Sequence, residues 1–318
     1  MQLSNITEVI SQSTTIGITF HTSPDGDSLG SALALFTALR NISKHVYIIS
    51  KEALPDSFGF LPFSDEISGH KPNPSLETDL VIVLDCGNKA RINAVLDNFT
   101  GKIINIDHHV TNELYGDINY VDSSAAATAE IVYSLILALN TPITQDIATC
   151  LYTSLLTDTG SFKYSSTSNN THRIAGALID TGIDFTAIHR LVYDNKDFKY
   201  IKLTAKVLDN LYLMHKDTIC VMEIKEDLLR ELDYYLEDSS ELVAYGLTIK
   251  GVEVAALFKE KNGGVKVSLR SKDKVDVRKV AEFFSGGGHI KASGIFLPNI
   301  SIEEAKKAIL QKIKDELI

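Results

Sequence analysis

Residues 15–31 read TIGITFHTSPDGDSLGS. Residues 15–20 form an apolar, β-branched run of strand type. The run ends in His21, Asp25 and Asp27, spaced His-x-x-Pro-Asp-x-Asp, and from residue 28 to 40 the sequence turns rich in Ala and Leu, as a helix would. Strand, polar loop and helix in immediate succession open a parallel α/β unit, in which ligands bind beyond the carboxyl ends of the strands. The design recurs. Residues 46–49, 80–84 (LVIVL) and 102–106 (KIINI) are further strands, and 126–139 and 143–157 are helical. Pro55, Pro62, Pro72 and Pro74 make residues 51–78 a loop-rich excursion. The reading is an α/β fold, a parallel sheet covered by helices on both faces.

The pattern changes after about residue 190. A helix over 198–211 precedes strand-like runs at 218–224, 242–249, 252–259 and 265–270, with Lys250-Gly251 as a hairpin turn. A helix over 276–284, a Gly-rich loop and a helix over 302–317 complete a smaller α+β domain. The expected organisation is a first domain over 1–190, a helical linker over 191–212 and a second domain over 213–318, facing the first across a cleft. The length of 318 residues suits two domains at ~150 residues each.

Composition narrows the partners. With 31 Lys+Arg against 41 Asp+Glu, the formal net charge is −10. No polybasic run marks a grip on long nucleic acid; a nucleic-acid substrate should be short or held at a local site. Cys86, Cys150 and Cys220 are too scattered for a disulfide framework or a Cys-type zinc site, and fit a reducing compartment. No signal peptide or apolar run of membrane-spanning length is present. The expectation is a cytoplasmic protein without membrane contact; its oligomeric state is left open.

Three strands end in loops bearing carboxylates or imidazoles: His21, Asp25 and Asp27; Asp85; and Asp107, His108 and His109. Asp158, in Thr157-Asp158-Thr159-Gly160, closes a helix that can cap the same crevice. A lone Asp after a strand is usually a turn or helix cap, and Asp27 is a candidate N-cap. Strand ends carrying His and Asp together are harder to explain that way. Crowded carboxylates repel and raise one another's pKa. Divalent cations relieve this, two better than one, and mixed carboxylate–imidazole ligation suits Mn²⁺, with Mg²⁺ the alternative. Asp85, alone at its strand end, is the natural bridge. In the second half, Ser285-Gly286-Gly287-Gly288-His289 can form an anion-binding nest of backbone N–H groups. Arg270, at a strand end, suits phosphate, and Arg91 lies shortly after Asp85.

These segments resemble a known family. HTSPDGDSLGS (21–31), DCG (85–87), DHH (107–109) and TDTG (157–160) are similar to the ordered motifs of the DHH phosphoesterases, and GGGHIKASG (286–294) resembles the signature of the DHH-associated C-terminal domain. Length and layout are similar to the NrnA-type oligoribonucleases, or nanoRNases, which often double as phosphatases of 3′-phosphoadenosine 5′-phosphate (pAp). The resemblance implies that His21 and Asp25 hold one ion, that Asp27 and His108 hold another, that Asp85 bridges them and that Asp158 completes the set. It further implies that His109 faces the substrate, that Asp107 fixes a His tautomer, and that Arg270 with Gly287, Gly288 and His289 holds a nucleotide phosphate. Asn93 stands where many relatives have Gly. The implied activity is metal-assisted hydrolysis of short RNA or DNA oligonucleotides, including linear pApA and pGpG, to mononucleotides, with pAp dephosphorylation beside it. The rivals are an inorganic pyrophosphatase-like enzyme and a non-catalytic nucleotide-binding regulator.

Overall fold

The computed structural model describes residues 3–236 and 239–317. The chain divides into two compact units, Met1–Asn195 and Lys196–Ile318. No helix among the described residues is long and apolar enough to cross a membrane.

The first unit contains α1 (Leu3–Gln12), β1 (Thr15–Thr19), α2 (Gly26–Asn41), β2 (His45–Ile48), β3 (Leu80–Leu84), β4 (Lys102–Asp107), β5 (Ile118–Val121), α3 (Thr128–Ala138), α4 (Gln145–Asp158), α5 (Asn169–Ile179) and α6 (Phe185–Tyr193). Its sheet runs β2-β1-β3-β4-β5 with every pairing parallel. Alternation along the strands sends Ile18, Ile82 and Ile104 into a core with Leu33 of α2, Leu135 of α3 and Leu151 of α4. Val81, Val83 and Ile49 face the other way. The sequence predicts helices over that face too. The structure instead covers it with Ile92, Ala94, Leu96, Phe99 and Tyr115, because the connections from β3 to β4 and from β4 to β5 carry no α-helix. β5 escapes the sequence reading because its half-buried residues INYV give no clean alternation.

The strand order puts β1, β3 and β4 side by side, so the polar segments after their carboxyl ends emerge together. α2 is buried along nearly its whole length. Its small residues allow close packing on α4: a Cβ added to Gly30 would lie 2.4 Å from the Cys150 carbonyl oxygen.

The second unit contains α7 (Phe198–Asp209), β6 (Tyr212–Met214), β7 (Ile219–Ile224), α8 (Glu226–Glu231), α9 (Ser240–Leu247), β8 (Val254–Lys261), β9 (Gly264–Ser271), α10 (Val277–Phe283), β10 (Gly287–His289), β11 (Ala292–Pro298) and α11 (Ile302–Glu316). The sheet order is β10-β11-β9-β8-β7-β6, mixed, with β7 and β8 parallel. Tyr200, Leu203 and Val207 of α7 share a core with Cys220, Met222 and Leu257. Two expectations are corrected here. Residues 242–249 read as a strand but begin as helix α9: parallel β7 and β8 need a crossover, and Leu242, Val243 and Gly246 follow a helical period. Gly246 lets that helix sit close, since a Cβ there would lie 2.8 Å from that of Ala255. Lys250-Gly251 is accordingly a turn between helix and strand. The Gly-rich loop is in fact extended from Gly287 to His289 and pairs with β11; three glycines carry no side-chain pattern from which a strand can be read.

Candidate metal centre

Each cluster residue is positioned by the end of a regular element. His21 follows β1. Asp25 is the N-cap of α2, its side chain accepting from the Ser28 amide in a capping box. The cap expected at Asp27 therefore falls two residues earlier, which frees Asp27 to turn inward from the first turn, where it is 1% exposed. Asp85 ends β3 with φ at 53°. Asp107 is the last residue of β4, His108 and His109 follow it, and Asp158 closes α4.

These side chains meet in overlapping groups. His21, Asp25 and Asp85 form one; Asp27, His108 and Asp158 form a second; Asp85, His108 and His109 form a third. His21 Nε2 lies 3.6 Å from Asp25 Oδ1 and 3.5 Å from Asp85 Oδ2. His108 Nε2 lies 3.6 Å from Asp27 Oδ2, 3.6 Å from Asp85 Oδ1 and 3.5 Å from Asp158 Oδ2. Asp85 thus gives one oxygen to each imidazole.

These separations test whether the donor set fits a cation. They exceed the ~2.7–2.9 Å of a charge-assisted hydrogen bond. They approach the ~3.0–3.4 Å separation between neighbouring ligands that each sit ~2.1 Å from one ion. The tautomers agree. Nδ1 of His21 is 3.0 Å from the Thr22 carbonyl oxygen and Nδ1 of His108 is 3.2 Å from that of Ala125. Donation from Nδ1 leaves the Nε2 lone pair facing the carboxylates, the usual second hydrogen bond of a ligating histidine. The set fits hard or borderline divalent cations.

The protein alone tolerates the crowding by holding protons. Burial opposes a charged His21, yet the Asp25 and Asp85 carboxylates lift its pKa from 6.5 to about 11. Burial likewise opposes a charged His108, which Asp27, Asp85 and Asp158 lift to about 9. Burial, then the charge of Asp85, pushes Asp27 from 3.8 up to about 7. Burial and the charge of Asp27 hold Asp158 well above the usual carboxylate range.

Asp107 is fully buried beside this group. Its Oδ1 lies 2.7 Å from His109 Nδ1 and accepts the His108 amide at 2.8 Å, while Oδ2 accepts from Asn112 at 2.5 Å. Burial would raise its pKa, but the His109 and Asn112 contacts keep it below the ordinary value. Arg91 extends Nη2 to the Thr22 carbonyl at 3.2 Å, beside His21. Asn93 is buried and its Oδ1 accepts the Lys51 amide at 2.9 Å, so the residue commonly Gly in relatives here ties two loops together.

In the second unit, Arg270 of β9 pairs with Ala292 of β11, which pairs with His289 of β10. Arg270 and His289 therefore stand at one level of the sheet. Gly288 has φ of 134°, and a Cβ there would lie 2.5 Å from the Ala292 carbonyl oxygen, so the close strand pairing requires glycine.

Residues 15–155 match the DHH family N-terminal domain, and residues 217–318 match the DHHA1 domain. The chain belongs to the DHH family. The bifunctional oligoribonuclease and PAP phosphatase NrnA of Thermus thermophilus is 32% identical over 309 residues, 95% of this chain and 90% of that one. The protein of the same name from Bacillus subtilis is 30% identical over 298 residues, 92% of each chain. The crystal structure of an exopolyphosphatase-related protein from Bacteroides fragilis matches with a TM-score of 0.91 and 31% identity, over 98% of this chain and 95% of that one.

This DHH-family site also has supports that sequence motifs do not reveal. Asp27 Oδ1 accepts from Ser154 Oγ at 2.5 Å, Ser31 Oγ at 3.2 Å and the Ala129 amide at 3.3 Å; Oδ2 accepts the Thr128 amide at 2.8 Å. Thr128 Oγ1 donates to Asp85 Oδ1 at 3.1 Å. The N-terminus of α3 thus aims its unpaired amides and its dipole at the most crowded carboxylates.

Proposed function

We propose that this chain is a divalent-cation-dependent phosphoesterase that cleaves short oligonucleotides to mononucleotides and removes the 3′ phosphate of pAp. The observation that carries the reading is Asp85 shared between the His21–Asp25 group and the Asp27–His108–Asp158 group. The names of the Thermus and Bacillus relatives agree with it, and the DHH family is one of hydrolases.

In this reading His21, Asp25, Asp27, Asp85, His108 and Asp158 hold two divalent cations, with Mn²⁺ favoured by the mixed ligand set and Mg²⁺ the alternative. When bound, such a pair supplies charge neutralisation, a water acidified to near neutrality and a clamp on the phosphoryl oxygens. The chain's own residues do the rest. Asp107 accepts from His109 Nδ1; burial opposes a charged His109, but Asp107 and Asp85 raise its pKa. His109 can then carry a proton on Nε2 to the leaving oxygen, the 3′ oxygen of the neighbouring nucleotide. Arg91 steadies the loop that carries His21. Arg270 and His289 supply positive charge for a nucleotide phosphate, beside the glycine strand that admits close approach. No base-specific pocket is invoked, so turnover should tolerate any sequence. Three buried cysteines without disulfides suit a reducing, cytoplasmic setting.

The test is one substrate panel: pAp, pApA, pGpG, a 5-mer, a 24-mer and pyrophosphate, each with Mn²⁺, Mg²⁺ or EDTA. The reading expects turnover of pAp, the dinucleotides and the 5-mer with Mn²⁺ and none in EDTA. Preference for pyrophosphate, or tight nucleotide binding without turnover, would sink it.

A further inference from the structure

α10 and α11 pack on the face of the second sheet that holds Val265, Val267, Leu269 and Ile295. The opposite face of β8, β9 and β11 has a different character. Alternation and register place Lys259, Lys261, Lys266 and Arg270 on it, and among the described residues on that face of these strands none is acidic. Lys259 is buried and donates to the Leu236 carbonyl. Beyond it, Lys261, Asn262, Lys266 and Phe296 line a groove of about 440 Å³. Phe296 stands opposite Lys266 and is 50% exposed. The neighbouring floor is bare backbone. Gly287 pairs with Gly294; a Cβ at Gly287 would meet nothing within 4 Å, and one at Gly294 would come no nearer than 3.9 Å to the Val267 carbonyl oxygen.

A basic strip with one half-exposed ring above a flat glycine floor is unusual on a chain of net charge −10. It combines what sequence-tolerant single-strand binders use: ammonium groups for phosphates and an aromatic face for a base. We propose that this groove is a subsite for a single-stranded oligonucleotide, with a phosphate between Lys261 and Lys266 and a base stacked on Phe296. The inference rests on the proposed action on short oligonucleotides and adds a length rule to it. Lys266 is four residues from Arg270 along β9, roughly 13 Å at 3.3 Å per residue. That spans about four stacked nucleotide steps of ~3.4 Å. A dinucleotide phosphate held at Arg270 does not reach the groove, whereas a hexanucleotide does.

The experiment compares the unmodified full chain, Phe296→Ala and the Lys261→Ala/Lys266→Ala double variant. The probes are oligoadenylates of two and six residues. Binding of the fluorescently labelled hexamer is measured in EDTA across a salt series, and hydrolysis of the unlabelled dimer is measured with Mn²⁺. Phe296→Ala should weaken hexamer binding about 10-fold, within the range for loss of one stacked base. The double variant should flatten the slope of log K against log salt by about 1.4, at ~0.7 per phosphate contact. Dimer kcat/KM should stay within about twofold in both. Hexamer affinity and salt slope unchanged in both variants would overturn the subsite. Failure of the unmodified chain to hydrolyse the dimer would instead contradict the proposed function, and the binding arm still decides the groove.

Discussion

Asp85 has φ at 53°, a left-handed backbone that most side chains avoid and that Asp and Asn tolerate best. Such strain persists where the surroundings over-determine it, commonly at functional sites. Here it turns a 2%-exposed carboxylate so that each oxygen faces a different imidazole. Asp85→Asn keeps the backbone preference and removes one charge. Phosphoesterase activity should fall at least ~100-fold, since supporting residues alone are worth 10–100-fold, and the rise in Tm on adding Mn²⁺ should shrink. A fully active variant would remove Asp85 from the site. Ser154 makes a subtler case. It donates to Asp27 from mid-helix, where Ala is well tolerated. Ser154→Ala should bind Mn²⁺ 10–100-fold more weakly by titration calorimetry, with the metal-free Tm nearly unchanged; undiminished affinity would make the contact purely structural.

Among elements, the contact between α2 and α4 sets the distance from Asp27 to Ser154 and Asp158. Gly26 and Gly30 make it possible: a Cβ at Gly26 would lie 2.4 Å from Thr157 Oγ1, and one at Gly30 would lie 2.4 Å from the Cys150 carbonyl and 2.9 Å from Ser154 Cβ. Gly30→Ala must push the helices apart against backbone. It should cost about 1–3 kcal/mol of stability by chemical denaturation and weaken Mn²⁺ binding as well; loss of stability with metal affinity intact would separate the packing from the site. This coupling also explains what the sequence discloses. Each motif is a strand and its next few residues, so His21, Asp85 and His108 are legible locally. Thr128 and Ser154 serve Asp27 from 101 and 127 residues away, and nothing near Asp27 points to them. Helix α9 was hidden differently. Its apolar residues suit either period, and only the parallel pairing of β7 with β8 decides between them.

For the molecule as a whole, the proton inventory predicts how stability follows pH. Metal-free, the folded chain keeps a proton on Asp27 up to about pH 7, where the unfolded chain has lost it above about 4. It keeps protons on His108 to about 9 and on His21 to about 11, against 6.5 when unfolded. The folded state binds more protons across this range, so its stability falls as pH rises. Asp107, held low, is already ionised there and leaves the trend unchanged. The Tm in EDTA should therefore decline from pH 5 to pH 9. A bound cation takes the place of those protons, so the Tm gain from Mn²⁺ should grow over the same range. A gain independent of pH would mean that the cation binds away from these residues.

The most direct measurement is an anomalous difference map at the manganese edge from crystals soaked in Mn²⁺. Two peaks are predicted: one among His21, Asp25 and Asp85, the other among Asp27, Asp85, His108 and Asp158. An absence of density between these side chains at saturating Mn²⁺ would contradict the account.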